Sequence, residues 1–204
     1  MSLPKSLLLF VLLLLLGACS TTRPIKPVAG SIDQAQHQAR LAKLQQWKIE
    51  GRMAFKNSAE KFSANLNWQQ DASQYDIRLT SFIGTSLMHM QGEPGTVLLQ
   101  ADDQNYQDSD ASRLIASITG WNIPVEQLPA WLKGQFSQHD GVEYSAEGLL
   151  QQLQPRCENC DAWAITYSAY KQVDEVWLPH QIQLNNLAQA NNLIKIRINQ
   201  WTLN

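Results

Sequence analysis

Alternation of apolar and polar residues is the feature that most constrains how this chain can fold. A period of two is that of a β-strand with one apolar face and one face in water. Such strands belong to antiparallel sheets, because strands of parallel sheets are buried on both faces. The alternation is clear over residues 47–55, 62–68, 75–79, 163–167 and 194–198, and it is weaker over residues 87–91 and 96–101.

Three other segments space their apolar residues as helices do. They are residues 31–46, a segment that Asp110 can cap and Gly120 can stop, and a segment that starts near Pro124 and runs to Leu132. We therefore predict a mostly β (α+β) chain. Its apolar sheet face would be covered by a few short helices.

The apolar face of the predicted sheet carries unusually large side chains, namely Trp47, Met53, Phe55, Phe62 and Trp68. A sheet of this kind under only three short helices could leave an apolar cavity. The alternative is a solid, well-packed core. Periodicity does not distinguish the two, and on periodicity alone we favour the solid core.

The N-terminus has the form of a secretory signal peptide. Lys5 precedes an unbroken apolar run over residues 7–16, and Gly17, Ala18 and Cys19 follow. The run is about half of the ~20 residues that a membrane-spanning helix needs. The small residues before the cysteine resemble a lipobox, which implies cleavage after residue 18 and lipid on Cys19.

Ser20 follows the expected lipid site. Under the sorting convention that belongs to the lipobox resemblance, Ser20 implies the outer membrane. Residues 21–30 are polar and contain two prolines, so we interpret residues 19–30 as a lipidated flexible tether. Residues 31–204 would then form one domain, which we expect to be monomeric.

Two cysteines, Cys157 and Cys160, form a Cys-x-x-Cys pair whose flanks are typical of a turn between strands. A redox motif would require a helix that starts at the pair. A zinc site would require two more ligands. In an oxidising periplasm we favour a local disulfide over two free thiols.

No sequence motif of an enzyme is found. The four histidines form no His-Glu-x-x-His motif, and neither Gly-x-Ser-x-Gly nor a glycine-rich phosphate loop occurs. The acidic residues between Asp102 and Asp110 lack the glycine and the final glutamate of a calcium-binding EF-hand. The formal net charge of −2 does not suggest nucleic-acid binding. We expect no catalysis, no cofactor and no metal.

Several short motifs occur in a fixed order from Trp47 onward. They are Ile49-Glu-Gly51-Arg52, Trp68-Gln69, residues 79–84, Thr119-Gly120-Trp-Asn-Ile-Pro124, Trp131-Leu132, Trp177-Leu-Pro179 and residues 194–201. No single motif is highly specific, but in this order and together with the lipobox they resemble the LolB family, the outer-membrane lipoprotein receptors of the Lol pathway.

The resemblance implies an incomplete antiparallel β-barrel, with helices as a lid over an apolar cavity. It implies that lipoproteins arrive from the periplasmic carrier LolA and that their acyl chains pass to the outer-membrane lipid. We expect the acyl chains to be bound by the large side chains of the first two strands: Trp47, Met53, Phe55, Phe62, Leu66 and Trp68.

The family also has an exposed apolar residue before a glycine, on a loop needed for membrane insertion. The matching segment here is Phe82-Ile83-Gly84, which gives the role to Ile83. Phe82 stands where a proline is common and Ile83 where a leucine is common, which bears on the shape of the loop. Without the resemblance, a scaffold lipoprotein that binds proteins or peptidoglycan stays open as an alternative.

Overall fold

One large antiparallel sheet dominates the fold. The computed structural model describes residues 29–156, 162–189 and 192–204. Within these ranges eleven strands form one sheet in the order β6-β5-β4-β3-β2-β1-β13-β12-β9-β8-β7, and β10 pairs only with β11. The strands are β1 Gln46–Lys56, β2 Lys61–Asp71, β3 Gln74–Thr80, β4 Ser86–Glu93, β5 Thr96–Ala101, β6 Gln104–Asp108, β7 Gly141–Tyr144, β8 Leu150–Gln154, β9 Trp163–Ser168, β10 Lys171–Val173, β11 Val176–Leu178, β12 Gln181–Asn186 and β13 Leu193–Leu203.

The sheet does not close into a barrel, because β6 and β7 are its two edges among the described strands. This confirms the predicted mostly β fold and the incomplete antiparallel barrel. Each segment with alternating residues lies within a strand. Short strands such as β6 and β7 were not predicted.

Within the described ranges there are three helices: α1 Gln34–Lys43, α2 Ala111–Thr119 and α3 Leu128–Lys133. The prediction that the last of them starts near Pro124 is wrong. Pro129 lies in the first turn of α3, where its missing N–H is tolerated, and proline disfavours the helical conformation in the residue before it. In the described part of the chain no helix has the length and apolarity to cross a bilayer.

The centre of the sheet is the pair β1 and β13, and Gly51 makes their contact possible. The pairing shifts by one residue between Glu50 and Gly51. A Cβ atom on Gly51 would lie 2.1 Å from the backbone oxygen of Arg197. The glycine of the Ile-Glu-Gly-Arg motif therefore lets two central strands approach each other closely at a bulge.

Polar contacts hold helix α1 against the rest of the domain. The ammonium of Lys133 donates to the backbone oxygens of Leu44, at 2.7 Å, and Leu41, at 3.3 Å. These carbonyls end α1 and attract a cation. Burial nevertheless lowers the pKa of Lys133 to about 8. His37 of α1 contacts the backbone oxygen of Trp177 at 2.9 Å.

Candidate functional site

Helix α2 and the segment after it form a hydrogen-bonded unit over the sheet. Asp110 caps α2 through the amide of Arg113, and Gly120 ends it at φ 72°. The Glu126 carboxylate then folds back and accepts from the amides of Ala111, at 2.9 Å, and Ser112, at 3.1 Å. These bonds satisfy the free amides of the first turn and tie the end of the segment to its start; residues 111–127 are here called the lid.

Trp121 fastens the lid to the sheet. Its ring stacks on Phe55 of β1 with ring centres 3.8 Å apart, and it lies 5.8 Å from the ring of Phe62 on β2. Its indole N–H donates to the carboxylate of Glu60, in the β1–β2 turn, at 2.8 Å. The lid is thus joined to one end of the sheet by an aromatic stack and one hydrogen bond.

An apolar cavity of about 80 Å³ lies between the lid and the inner face of the sheet. The only polar side chain on its wall within the described residues is Thr119, whose hydroxyl is satisfied by the backbone oxygen of Ile115 at 2.7 Å. The wall is formed by Met53, Leu66, Trp68, Ile77, Leu79, Met88, Met90, Ile194 and Ile196 from the sheet and by Ile115, Thr119, Trp121, Ile123, Val125 and Leu128 from above.

Two properties of this wall suit flexible hydrocarbon. First, it carries no ionisable side chain among the described residues, so apolar atoms entering it would displace no charge. Second, three methionines contribute to it: Met53, Met88 and Met90. Methionine is unbranched and polarisable, and it adapts to ligands of different shapes.

A larger depression of about 470 Å³ lies on the opposite, outer face of the sheet. Its lining includes Arg52, Lys195 and Arg197, all of them exposed. Because polar side chains and three exposed cations line it, it does not suit an acyl chain. The smaller apolar cavity is therefore the candidate site.

The β3–β4 turn projects two apolar side chains into solvent. Phe82 is 88% exposed and Ile83 is 74% exposed. The turn is closed by the amide of Gly84, which donates to the Ser81 oxygen at 3.0 Å, and Gly84 has φ 90°. Strand β3 ends at Thr80, so neither side chain continues into the core.

Comparison with known proteins identifies the family. The profile of the family described as "Outer membrane lipoprotein LolB" matches residues 45–201. The outer-membrane lipoprotein LolB of Aeromonas hydrophila is 36% identical over 192 residues, covering 94% of this chain and 93% of the relative. That of Aeromonas salmonicida is 34% identical over 195 residues, covering 95% and 94%.

The chain belongs to the LolB family. A solved LolA superfamily protein from Nitrosomonas europaea has the same fold, with a TM-score of 0.55 at 6% identity, covering 87% of this chain and 94% of that one. The expected resemblance to LolB is confirmed.

The structure places the six candidate cavity residues, which were expected from the sequence, in different surroundings. Met53, Leu66 and Trp68 line the cavity. Trp47, Phe55 and Phe62 are not among its lining residues. Trp47 packs deeper, between Trp68 at 5.7 Å and Trp201 at 5.4 Å between ring centres. Phe55 and Phe62 are instead occupied by contact with Trp121.

Several wall residues of the cavity were not expected from the sequence. Met88 and Met90 lie on β4, and Trp121, Ile123 and Val125 lie on the lid. The Thr119–Pro124 motif is the sequence feature that could have predicted wall residues on the lid, because it contains apolar residues in a segment without regular periodicity. Cys19, Cys157 and Cys160 lie outside the described residues, so lipidation and the disulfide stay predictions. In the described ranges no cluster of three or more His, Cys, Asp or Glu could hold a metal ion.

Proposed function

We propose that this chain receives lipoproteins from the carrier LolA and inserts them into the outer membrane, holding their acyl chains between the lid and the sheet. The observation that carries this proposal is the apolar cavity under a lid that has its own internal hydrogen bonds, in a chain of the LolB family. The role requires no covalent reaction. A scaffold lipoprotein would need neither an apolar cavity nor a lid.

The lid must move for an acyl chain to enter. A cavity of about 80 Å³ is smaller than the ~150 Å³ that accommodates one benzene molecule in a protein core. Each methylene that leaves water gains roughly 0.8 kcal/mol, so a whole chain offers ample free energy to displace the lid. Since Glu126 bonds the lid to itself, it can move as one body and give up mainly its contacts with the sheet.

Release requires only that the bilayer hold the chains better than the receptor does. The lid regains its contacts with the sheet when it closes, and this lowers the net affinity of the site for acyl chains. Lipid on Cys19 would keep the receptor at the periplasmic face of the outer membrane, which raises its local concentration there. Ile83 would touch the bilayer during the final step.

Ile83→Glu tests the proposal. The lipidated full-length chain is loaded from a LolA–lipoprotein complex, and insertion into lipid vesicles is measured separately from loading. Moving an isoleucine side chain into an apolar medium is worth about 1.5–3 kcal/mol, so insertion should fall about tenfold or more while loading is unchanged. Leu98→Glu is the matched control, because Leu98 is also exposed (47%) but lies on β5. Equal insertion by both variants would refute the role of Ile83.

A further inference from the structure

Three turns lie at the same end of the sheet. Neighbouring strands in the order β3-β2-β1-β13-β12 are all antiparallel, so β3, β1 and β12 run in the same direction. The β3–β4, β1–β2 and β12–β13 turns therefore share one end, here called the loop end. The first of these turns carries Phe82 and Ile83, and the second carries Glu60, which binds Trp121 of the lid.

Large exposed apolar side chains concentrate at the loop end. Four such side chains occur among the described residues, and three of them, Phe82, Ile83 and Leu187, belong to turns at this end. Leu187 is 57% exposed and directly follows β12. Leu98 is the fourth, and it lies within β5 rather than in a turn.

The backbone around Leu187 is fixed in a way that presents its side chain to solvent. Its amide donates to the oxygen of Ala162 at 2.7 Å. The buried amide side chain of Asn186 accepts from the amides of Ala188 and Gln189, both at 2.9 Å. These bonds satisfy the backbone amides of residues 187–189, so the exposed leucine lies on a hydrogen-bonded backbone directly after β12.

Cations lie beside the apolar turns on the outer face. Lys56 and Lys61 are direct partners in the last pair of the β1–β2 ladder, and Lys195 pairs with Ala54 on the other side of β1. All three lysines are exposed, and none forms an ion pair with a described residue. Like charges placed directly opposite each other destabilise a sheet, so the Lys56–Lys61 pair does not serve stability. The cluster of cations also contrasts with the chain as a whole, whose formal net charge is −2.

We propose that the loop end is a membrane-docking surface for an anionic bilayer, with Leu187 as a second apolar contact and Lys56, Lys61 and Lys195 bound to lipid phosphates. This rests on the proposed function and deepens it. Apolar side chains bordered by cations are the combination that binds an anionic membrane surface. With a single inserted residue the domain can still tilt relative to the bilayer, whereas contacts on two separate turns fix its orientation on the bilayer. In that orientation the Trp121–Glu60 contact, where the lid meets the sheet, faces the bilayer.

Tryptophan quenching by brominated lipid tests the apolar contact. The lipidated full-length Leu187→Trp variant is reconstituted in vesicles of phosphatidylcholine with phosphatidylglycerol, and Leu98→Trp is the matched control. The fluorescence added at position 187 should be quenched, and that added at position 98 should not. Equal quenching at both positions, or none at either, overturns the proposal. Lipoprotein transfer to the same vesicles is measured in parallel: if transfer is normal without quenching, only this inference fails, whereas absence of transfer in the wild type rejects the proposed function itself.

The cationic part needs a charge-matched comparison. The double variant Lys56→Gln/Lys61→Gln, combined with Leu187→Trp, should lose quenching on vesicles that contain phosphatidylglycerol. The double variant Lys43→Gln/Lys171→Gln removes the same charge from exposed positions outside the loop end and should retain it. Retained quenching in both variants overturns the role of the lysines. If the Lys56/Lys61 variant keeps quenching and instead loses loading from LolA, the cations serve an acidic protein partner and the proposal is wrong.

Discussion

Removing the hydrogen bond between Trp121 and Glu60 should make the cavity easier to enter. Glu60→Ala deletes the acceptor of the indole N–H, which now lies 2.8 Å away. Glu60 does not line the cavity, so its loss removes no contact with a bound acyl chain. Trp121 keeps its stack on Phe55, so the lid still has a closed position.

The size of the effect follows from the exposure of this bond. A hydrogen bond of this kind contributes about 1 kcal/mol net, and both partners here are accessible to water. A change of about 1 kcal/mol alters an equilibrium constant about fivefold. The open population should rise by that factor, and the apparent affinity for an apolar ligand should rise with it, since binding requires the open lid.

Stopped-flow binding of an environment-sensitive apolar dye, with displacement by an acylated peptide, measures this directly. Glu60→Gln is the matched control, because its amide oxygen still accepts the indole N–H. Glu60→Ala should bind dye about fivefold faster, and Glu60→Gln should bind at the wild-type rate. If the alanine variant binds no faster at unchanged thermal stability, the Trp121–Glu60 bond does not hold the lid closed.

Gly51→Ala should lower the stability of the domain by about 2 kcal/mol or more, because its Cβ would overlap the Arg197 backbone; thermal denaturation would show a drop of about 4–8 °C or more, and an unchanged midpoint would contradict the bulge argument. Acid should destabilise the fold, because burial lowers the pKa of His37 and His180. Below pH ~6.5 the unfolded chain takes up protons that the folded chain resists, so stability falls as the pH decreases, and the double variant His37→Gln/His180→Gln should show a smaller fall in circular-dichroism melts between pH 7 and 5. Met90→Trp should occupy the cavity and reduce dye binding, with Met90→Leu as control; undiminished binding would place the dye elsewhere.

Sequence periodicity predicted the strands that have one buried face and one solvent-exposed face. It did not predict β6, where Tyr106 is the only apolar residue, because an edge strand can pair through its backbone with little apolar surface. Strand β12 does alternate, with Ile182 and Leu184 between polar residues, and it could have been predicted.

The cavity was harder to predict than the sheet. Trp47 and Trp68 lie on the same apolar face, yet only Trp68 borders empty space. The difference depends on Trp201, which is 154 residues away from Trp47 along the chain and fills the space around it. A local pattern shows which residues point inward, but side chains that are distant in the sequence, such as Trp201, decide which of them border the cavity.

The unpaired edges β6 and β7 have a consequence for capacity. In a closed β-barrel the number of strands and the shear determine the interior diameter. Here no hydrogen bonds join the edge strands β6 and β7 in the described part of the chain. The strands on the two sides of the central β1–β13 pair can therefore move apart without loss of hydrogen bonds between strands. The receptor would then widen to suit its cargo, and native mass spectrometry should find it carrying peptides with one, two or three fatty tails rather than a single fixed number.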